Sequence, residues 1–215
     1  MTTAVTSQVT RAQFIMIMLC LSVFMIFALM VIRDADAYRN GVQSEIETVR
    51  SSLTTAEWNT VDERAKRRFS KYVHESGFFQ VVQDWFLPDE NASAVNQTFS
   101  GKWNYRLVEN LQVFLYQCIY RFTMLEFWLW TLLPLVIAII VSGINAHRAK
   151  RYQLEGTRAN IVRLYLKAIW LSALGLIGYM VLPAMLGAMA PYAPAMAFLL
   201  LAFSASGVVS AFHKG

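Results

Sequence analysis

Three histidines, His74, His147 and His213, are the first candidates for metal binding or proton transfer, because a neutral imidazole ligates metals and titrates near neutral pH. They fall in separate segments and none belongs to an HExxH pattern, so they do not describe one metal centre. The nearest thing to an acidic cluster is Asp84, Asp89 and Glu90. Cys20 and Cys118 form no CxxC pair. A phosphate-cradling GxxxxGK[ST] loop and a GxSxG nucleophile elbow are both missing. The expectation is a protein without catalytic residues, metal or cofactor, and not an enzyme.

Two other residue patterns remain, and their chemistry is recognition. Ala138, Ser142 and Ala146 recur every four residues, as do Ala202, Ser206 and Ser210, with Gly175 and Gly178 in a third apolar run. Small faces at that spacing let helices approach closely, and the hydroxyls can bond across. They serve packing inside a helix bundle, with docking of a partner's transmembrane helix as the alternative. Arg148, Lys150, Arg151, Arg158, Arg163 and Lys167 face one acid, Glu155, and suit lipid phosphates or a partner. Ile161, Leu164, Tyr165 and Ala168 give the same segment one apolar helical face. The basic run from Arg64 to Arg68, with Asp62, Glu63 and Glu75 nearby, reads as a solvated helix face. Arg121 and Glu126 read as interfacial residues making headgroup contact or a local pair.

The elements that must position these residues are set by hydropathy. The chain has 215 residues, 56% hydrophobic and 15% charged, against about 25% charged in soluble domains. Twelve of its fourteen acids lie between Arg33 and Asn110, leaving one polar block among apolar ones. Residues 14–32 are a charge-free run nearly long enough to cross a hydrocarbon core, and read as a retained anchor rather than a cleaved signal. Further spans are expected at 127–146, 168–190 and 195–212, the last two an antiparallel hairpin. Apart from Arg121 and Glu126 at an outer edge, the spans hold no Asp, Glu, Lys, Arg or His, which argues against an ion-coupled transporter.

The net charge of +5 does not imply nucleic-acid binding, because the polar block carries ten basic residues against twelve acids. The excess lies in the basic segment 147–167, which the positive-inside rule places in the cytoplasm. Both termini, residues 1–13 and 213–215, are then cytoplasmic, and residues 33–126 form an extracytoplasmic domain. Ile46, Val49, Leu53 and Ala56, and then Val61, Ala65, Phe69 and Tyr72, show helical spacing. Gly77 is a helix stop. Phe78, Phe79, Val82, Trp85 and Phe86 make a short amphipathic helix suited to the outer leaflet, and residues 89–101 read as a loop. The sequons at Asn91 and Asn96 matter only in a glycosylating cell. The expected fold is an all-α membrane protein with about four transmembrane helices and a mostly helical extracytoplasmic domain between the first two.

The carboxy-terminal half reads INAHRAKRYQLEGTRANIVRLYLKAIW, then MVLPAMLGAM, then the tail SAFHKG. With the anchor, polar domain and Pro-punctuated hairpin, it resembles the TraJ-type conjugation-associated inner-membrane proteins of H-type conjugative plasmids and integrating conjugative elements. The resemblance covers the whole chain as architecture and residues 140–215 as sequence. Many relatives carry a Gly-rich Arg-Glu-Ser stretch after the second span, and here LEGTRAN stands in that place without it. The resemblance implies a multi-pass subunit of the bacterial inner membrane in a type IV DNA-transfer system, partnered with the coupling ATPase or other conjugation subunits. Anionic lipid is expected at the basic segment, with neither direct nucleic-acid contact nor a small-molecule substrate. A small transporter or channel component is an alternative, as is an exclusion or assembly factor acting towards an incoming mating partner.

Overall fold

The computed structural model describes residues 13, 16, 32–87, 94–150, 159–182 and 187–211. Its described elements are helical, with no strand among them. Helix α1 (Ala35–Ser52) leads through Leu53 into α2 (Thr55–Phe69). Thr54 caps α2: its hydroxyl accepts from the Glu57 backbone while the Glu57 carboxylate accepts from the Thr54 amide at 3.0 Å. The Thr54 hydroxyl also donates to Glu57 Oε2 at 2.6 Å, and that bond, together with the one from the amide, holds the Glu57 carboxyl below the usual carboxylate range. A π-turn, Ser70–His74, extends α2, and Gly77 then takes a φ of 73°, a left-handed angle that suits glycine and stops the helix as expected. Helix α3 is Phe78–Phe86.

Helix α4, Ala94–Lys150, is 57 residues long and runs through Pro134. It begins inside the segment 89–101 that read as a loop. At 1.5 Å per residue it is about 85 Å long, so one helix serves both the polar domain and the membrane. Helix α5 is Ala159–Val181. The expected span of 168–190 is thus offset: the helix starts nine residues earlier and stops before Leu182. Proline disfavours helical geometry in the residue before it, and Leu182 precedes Pro183. Gly187–Met189 form a 3₁₀ turn, and α6 runs Ala193–Ala211 with Pro194 in its first turn, where a missing N–H is tolerated.

Three described helices are long and apolar enough to cross a membrane, over Trp103–Ala149, Asn160–Val181 and Ala193–Ala211. The expectation of four spans is met by three, and of the other span residues 14, 15 and 17–31 lie outside the described residues. Helix α6 lies along both α4 and α5, which touch each other far less.

Close approach explains two glycines. A Cβ on Gly207 would stand 2.6 Å from Cε1 of Tyr165, and one on Gly143 would stand 2.8 Å from the Ser206 carbonyl. Gly175 has open space around it.

In the polar domain α1 runs parallel to α4. The Arg33 carbonyl accepts from Asn110 Nδ2 at 2.9 Å, and further along Glu45 meets Arg121. Asn110 precedes Phe127 by seventeen residues, about 25 Å of helix. Ile32 and Arg33, where the first expected span ends, therefore lie well up α4 from where the second was expected to begin. The domain core is Val49, Trp58, Val61, Ala65, Tyr120 and Met124, with Ile46, Leu53, Phe127 and Trp128 packed on it. Ala190, from the connection between α5 and α6, is fully buried in the same core. That connection is thus part of the polar domain rather than a bare hairpin turn.

Gly143→Ala and Gly207→Ala are each expected to destabilise the bundle by about 1–3 kcal/mol, the usual cost of overpacking. Gly175→Ala should be neutral or stabilise by up to about 1 kcal/mol, since it only removes glycine's entropy penalty in a helix. Thermal unfolding in mild detergent, followed by tryptophan fluorescence, separates the two classes.

Candidate functional site

Arg121 sits where the polar domain meets the apolar helices. Its side chain is fully buried, and that of Glu45 is 3% exposed. Nε donates to Glu45 Oε1 at 2.8 Å and Nη2 to Oε2 at 2.6 Å, a two-pronged pairing that fixes the register of α1 on α4. Nη1 donates to the carbonyls of Tyr179 and Leu182 at the end of α5. Those last-turn carbonyls have no partner within their own helix and carry its negative dipole end, so a buried cation satisfies both needs. The guanidinium also lies 5.2 Å from the centre of the Tyr179 ring. One side chain on α4 therefore ties α1 to α5.

Neighbours extend the junction. Tyr38 donates to Gln117 Oε1 at 2.6 Å, and Gln117 Nε2 donates to the Leu182 carbonyl at 3.0 Å. Burial pushes the Tyr38 phenol up to about 12, so it remains a donor throughout the neutral range. Cys118 Sγ faces the Met180 carbonyl at 3.5 Å. Asn110, Gln117 and Arg121 recur at spacings of seven and four, a polar stripe along one side of α4.

Arg121 and Glu126 were expected to face the interface. Arg121 instead lies inside, and its partner is 76 residues away. Glu126 pairs with Arg68, whose Nη1 also donates to Thr123 Oγ1 at 3.2 Å. Sequence periodicity misses a pair drawn from two distant helices. The signal available was the polar stripe on an otherwise apolar stretch of α4.

The structure separates the two small-residue faces. Ala202 is buried, Ser206 stands against Gly143, and Ser210 donates to the Gly207 carbonyl at 3.0 Å, so the α6 face serves packing inside the bundle. Ala138, Ser142 and Ala146 are all exposed on α4. Of the basic residues, Arg148, Arg163 and Lys167 are exposed, while Arg151, Arg158 and the Lys150 side chain lie outside the described residues. His74 is exposed and makes edge-on contacts with the rings of Phe69 and Phe79, at 5.2 and 5.9 Å. Asp84 is exposed on α3, and Asp89, Glu90 and His213 lie outside the described residues. Phe78, Val81 and Trp85 form an exposed apolar ridge on α3, with Trp85 82% exposed.

Arg121→Leu leaves the Glu45 carboxylate buried without its partner and is expected to cost about 3–5 kcal/mol. Adding Glu45→Leu should recover only part of that loss, because the stranded charge is gone but the Tyr179 and Leu182 carbonyls still lack the arginine donor. The two variants and wild type, unfolded thermally in detergent at neutral pH, give the answer. Equal loss in the single and double variants would mean that the pairing is not what holds the junction.

No curated protein and no solved structure matches the chain. A family model does match, over residues 33–213, described as the IncC plasmid conjugative DNA transfer protein DtrJ-like family. The matched stretch includes both halves of the junction, Glu45 and Arg121, and all three apolar helices. The conjugation-associated resemblance of the carboxy-terminal half therefore holds at the level of the family: the chain belongs to the DtrJ-like conjugative DNA transfer proteins.

Proposed function

We propose that this chain is a non-enzymatic inner-membrane subunit of a conjugative type IV DNA-transfer system, and that it partners the coupling ATPase. The reading rests on the family match, on three helices able to cross a membrane, and on one structural asymmetry. Of two equivalent small-residue faces, one is used inside the bundle and the other is left exposed. The Ala138, Ser142 and Ala146 face lets another helix approach α4 closely, and van der Waals packing of small residues is what drives association within lipid. A transmembrane helix of the coupling ATPase is the proposed occupant, and the partner supplies all nucleotide hydrolysis.

In this arrangement the basic segment 147–167 lies in the cytoplasm, with Arg148, Arg163 and Lys167 available to anionic lipid or to the ATPase. The polar domain lies in the periplasm. Placement among the TraJ-type proteins belongs to the same proposal.

Tagged protein drawn in mild detergent from membranes of conjugating donors is expected to retain the coupling ATPase. Ser142→Leu, alone and with Ala138→Leu, should reduce that recovery and the transfer frequency by about tenfold or more, the effect of a clash of about 1.4 kcal/mol. Protein level and thermal stability should stay near wild type, because the face is exposed. Recovery of the protein alone, from a donor whose transfer survives its deletion, contradicts the proposal. Requirement in the recipient rather than the donor favours the exclusion or assembly role. In intact cells Thr157→Cys should resist an impermeant thiol reagent, and labelling from outside would reverse the orientation.

A further inference from the structure

The basic run on α2 has a one-sided arrangement that neither the junction nor the proposed partner face uses. Two of its charges are already paired: Lys66 with Asp62 at 2.7 Å, and Arg68 with Glu126. Arg64, Arg67 and Lys71 are exposed, and among the described residues none of them has an ion-pair partner. Arg64 stands four residues before Arg68 and Lys71 three after it, so both share its side of the helix, while Arg67, the neighbour of Arg68, lies further round. Arg68 shows where that side points. It reaches Glu126, the residue before Phe127, and its guanidinium lies 5.6 Å from the centre of the Phe122 ring.

Beneath this arc lies a cleft of about 320 Å³ lined by Arg68, Tyr72, Cys118, Ile119, Phe122 and Met180. Its rim is cationic and its floor is apolar. Met180 belongs to the last turn of α5, so the floor is continuous with the surface of a helix able to cross a membrane. Phe122 is half exposed there, and Lys71 Nζ stands over the Tyr72 ring at 6.0 Å. A protein partner with acidic side chains would use the cationic rim but leave the apolar floor unexplained. An amphiphile with an anionic head and a hydrocarbon tail fits both.

We propose that this cleft binds an anionic phospholipid of the leaflet next to the polar domain. The headgroup phosphate lies among Arg64, Arg68 and Lys71, and an acyl chain runs over Ile119, Phe122 and Met180 towards α5. The inference rests on α4–α6 lying in a bilayer. That premise is read separately, from whether the protein stays with membranes on alkaline extraction.

Cys118 lines the cleft and reports its occupancy. The full chain carrying Cys20→Ser, in neutral detergent micelles, is treated with N-ethylmaleimide, and modification of Cys118 is followed by mass spectrometry. Phosphatidylglycerol is expected to slow modification several-fold, while phosphatidylcholine and inorganic phosphate do not. The triple variant R64Q/R67Q/K71Q should need about tenfold more phosphatidylglycerol for the same protection, since each cation near an anionic surface adds to binding. Met180→Trp, which fills the cleft from the other helix, should remove the lipid effect with all cations in place. Retained thermal unfolding of each variant shows that it is folded.

Equal protection by both lipids, protection by inorganic phosphate alone, or protection by phosphatidylglycerol undiminished in the triple variant would overturn the proposal. So would no lipid effect alongside lost DNA transfer in the triple variant, which would assign the arc to an acidic protein partner instead.

Discussion

A buried arginine sets the terms for the rest of this molecule. Placing a guanidinium in a low-dielectric interior is costly unless every donor finds an acceptor. Arg121 places four of its five N–H donors, on two carboxylate oxygens from α1 and two carbonyls from the end of α5. The constraint works in both directions. The residue needs both helices in place, and each helix loses a necessary partner without it. A salt bridge is weak support for stability, but a buried one that draws on three separate elements is a strong determinant of how they are arranged.

The helix ends show how local chemistry serves this arrangement. Pro183 stops α5 at Val181 and leaves its last carbonyls open, and Arg121 and Gln117 fill them from outside the helix. The connection beyond then places Ala190 in the domain core beside Tyr120 and Met124. Polar domain and apolar helices are therefore joined by packing, by hydrogen bonds and by the unbroken run of α4. A rearrangement in one of these regions has to be accommodated by the other.

Much of the all-helical fold could be read from runs of residue types. The apolar stretches, the stop at Gly77 and the helical character of the described elements all follow from hydropathy, periodicity and glycine geometry. What periodicity could not supply is the pairing of distant positions. Arg121 and Glu126 each look interfacial when read alone, because the identity of the partner, Glu45 or Arg68, is not a local property of the chain. The offset of α5 has a similar cause. Hydropathy continues past Pro183 into Ala190, yet backbone geometry ends the helix earlier. The small-residue faces were visible as a pattern, but the sequence treats 138–146 and 202–210 alike. Only the seating of Ser206 on Gly143 shows which of them is already occupied.

The central claim is that Arg121 acts as a junction among three helices and not only as half of an ion pair. Exchanging the charges, with Glu45→Arg and Arg121→Glu together, separates the two ideas in a single thermal unfolding measurement in detergent. The exchange keeps an ion pair between α1 and α4, but a carboxylate at 121 cannot donate to the carbonyls of Tyr179 and Leu182 and is repelled by them. The account predicts that the exchanged protein unfolds well below wild type, close to Arg121→Leu. Recovery of wild-type stability by the exchange would contradict it.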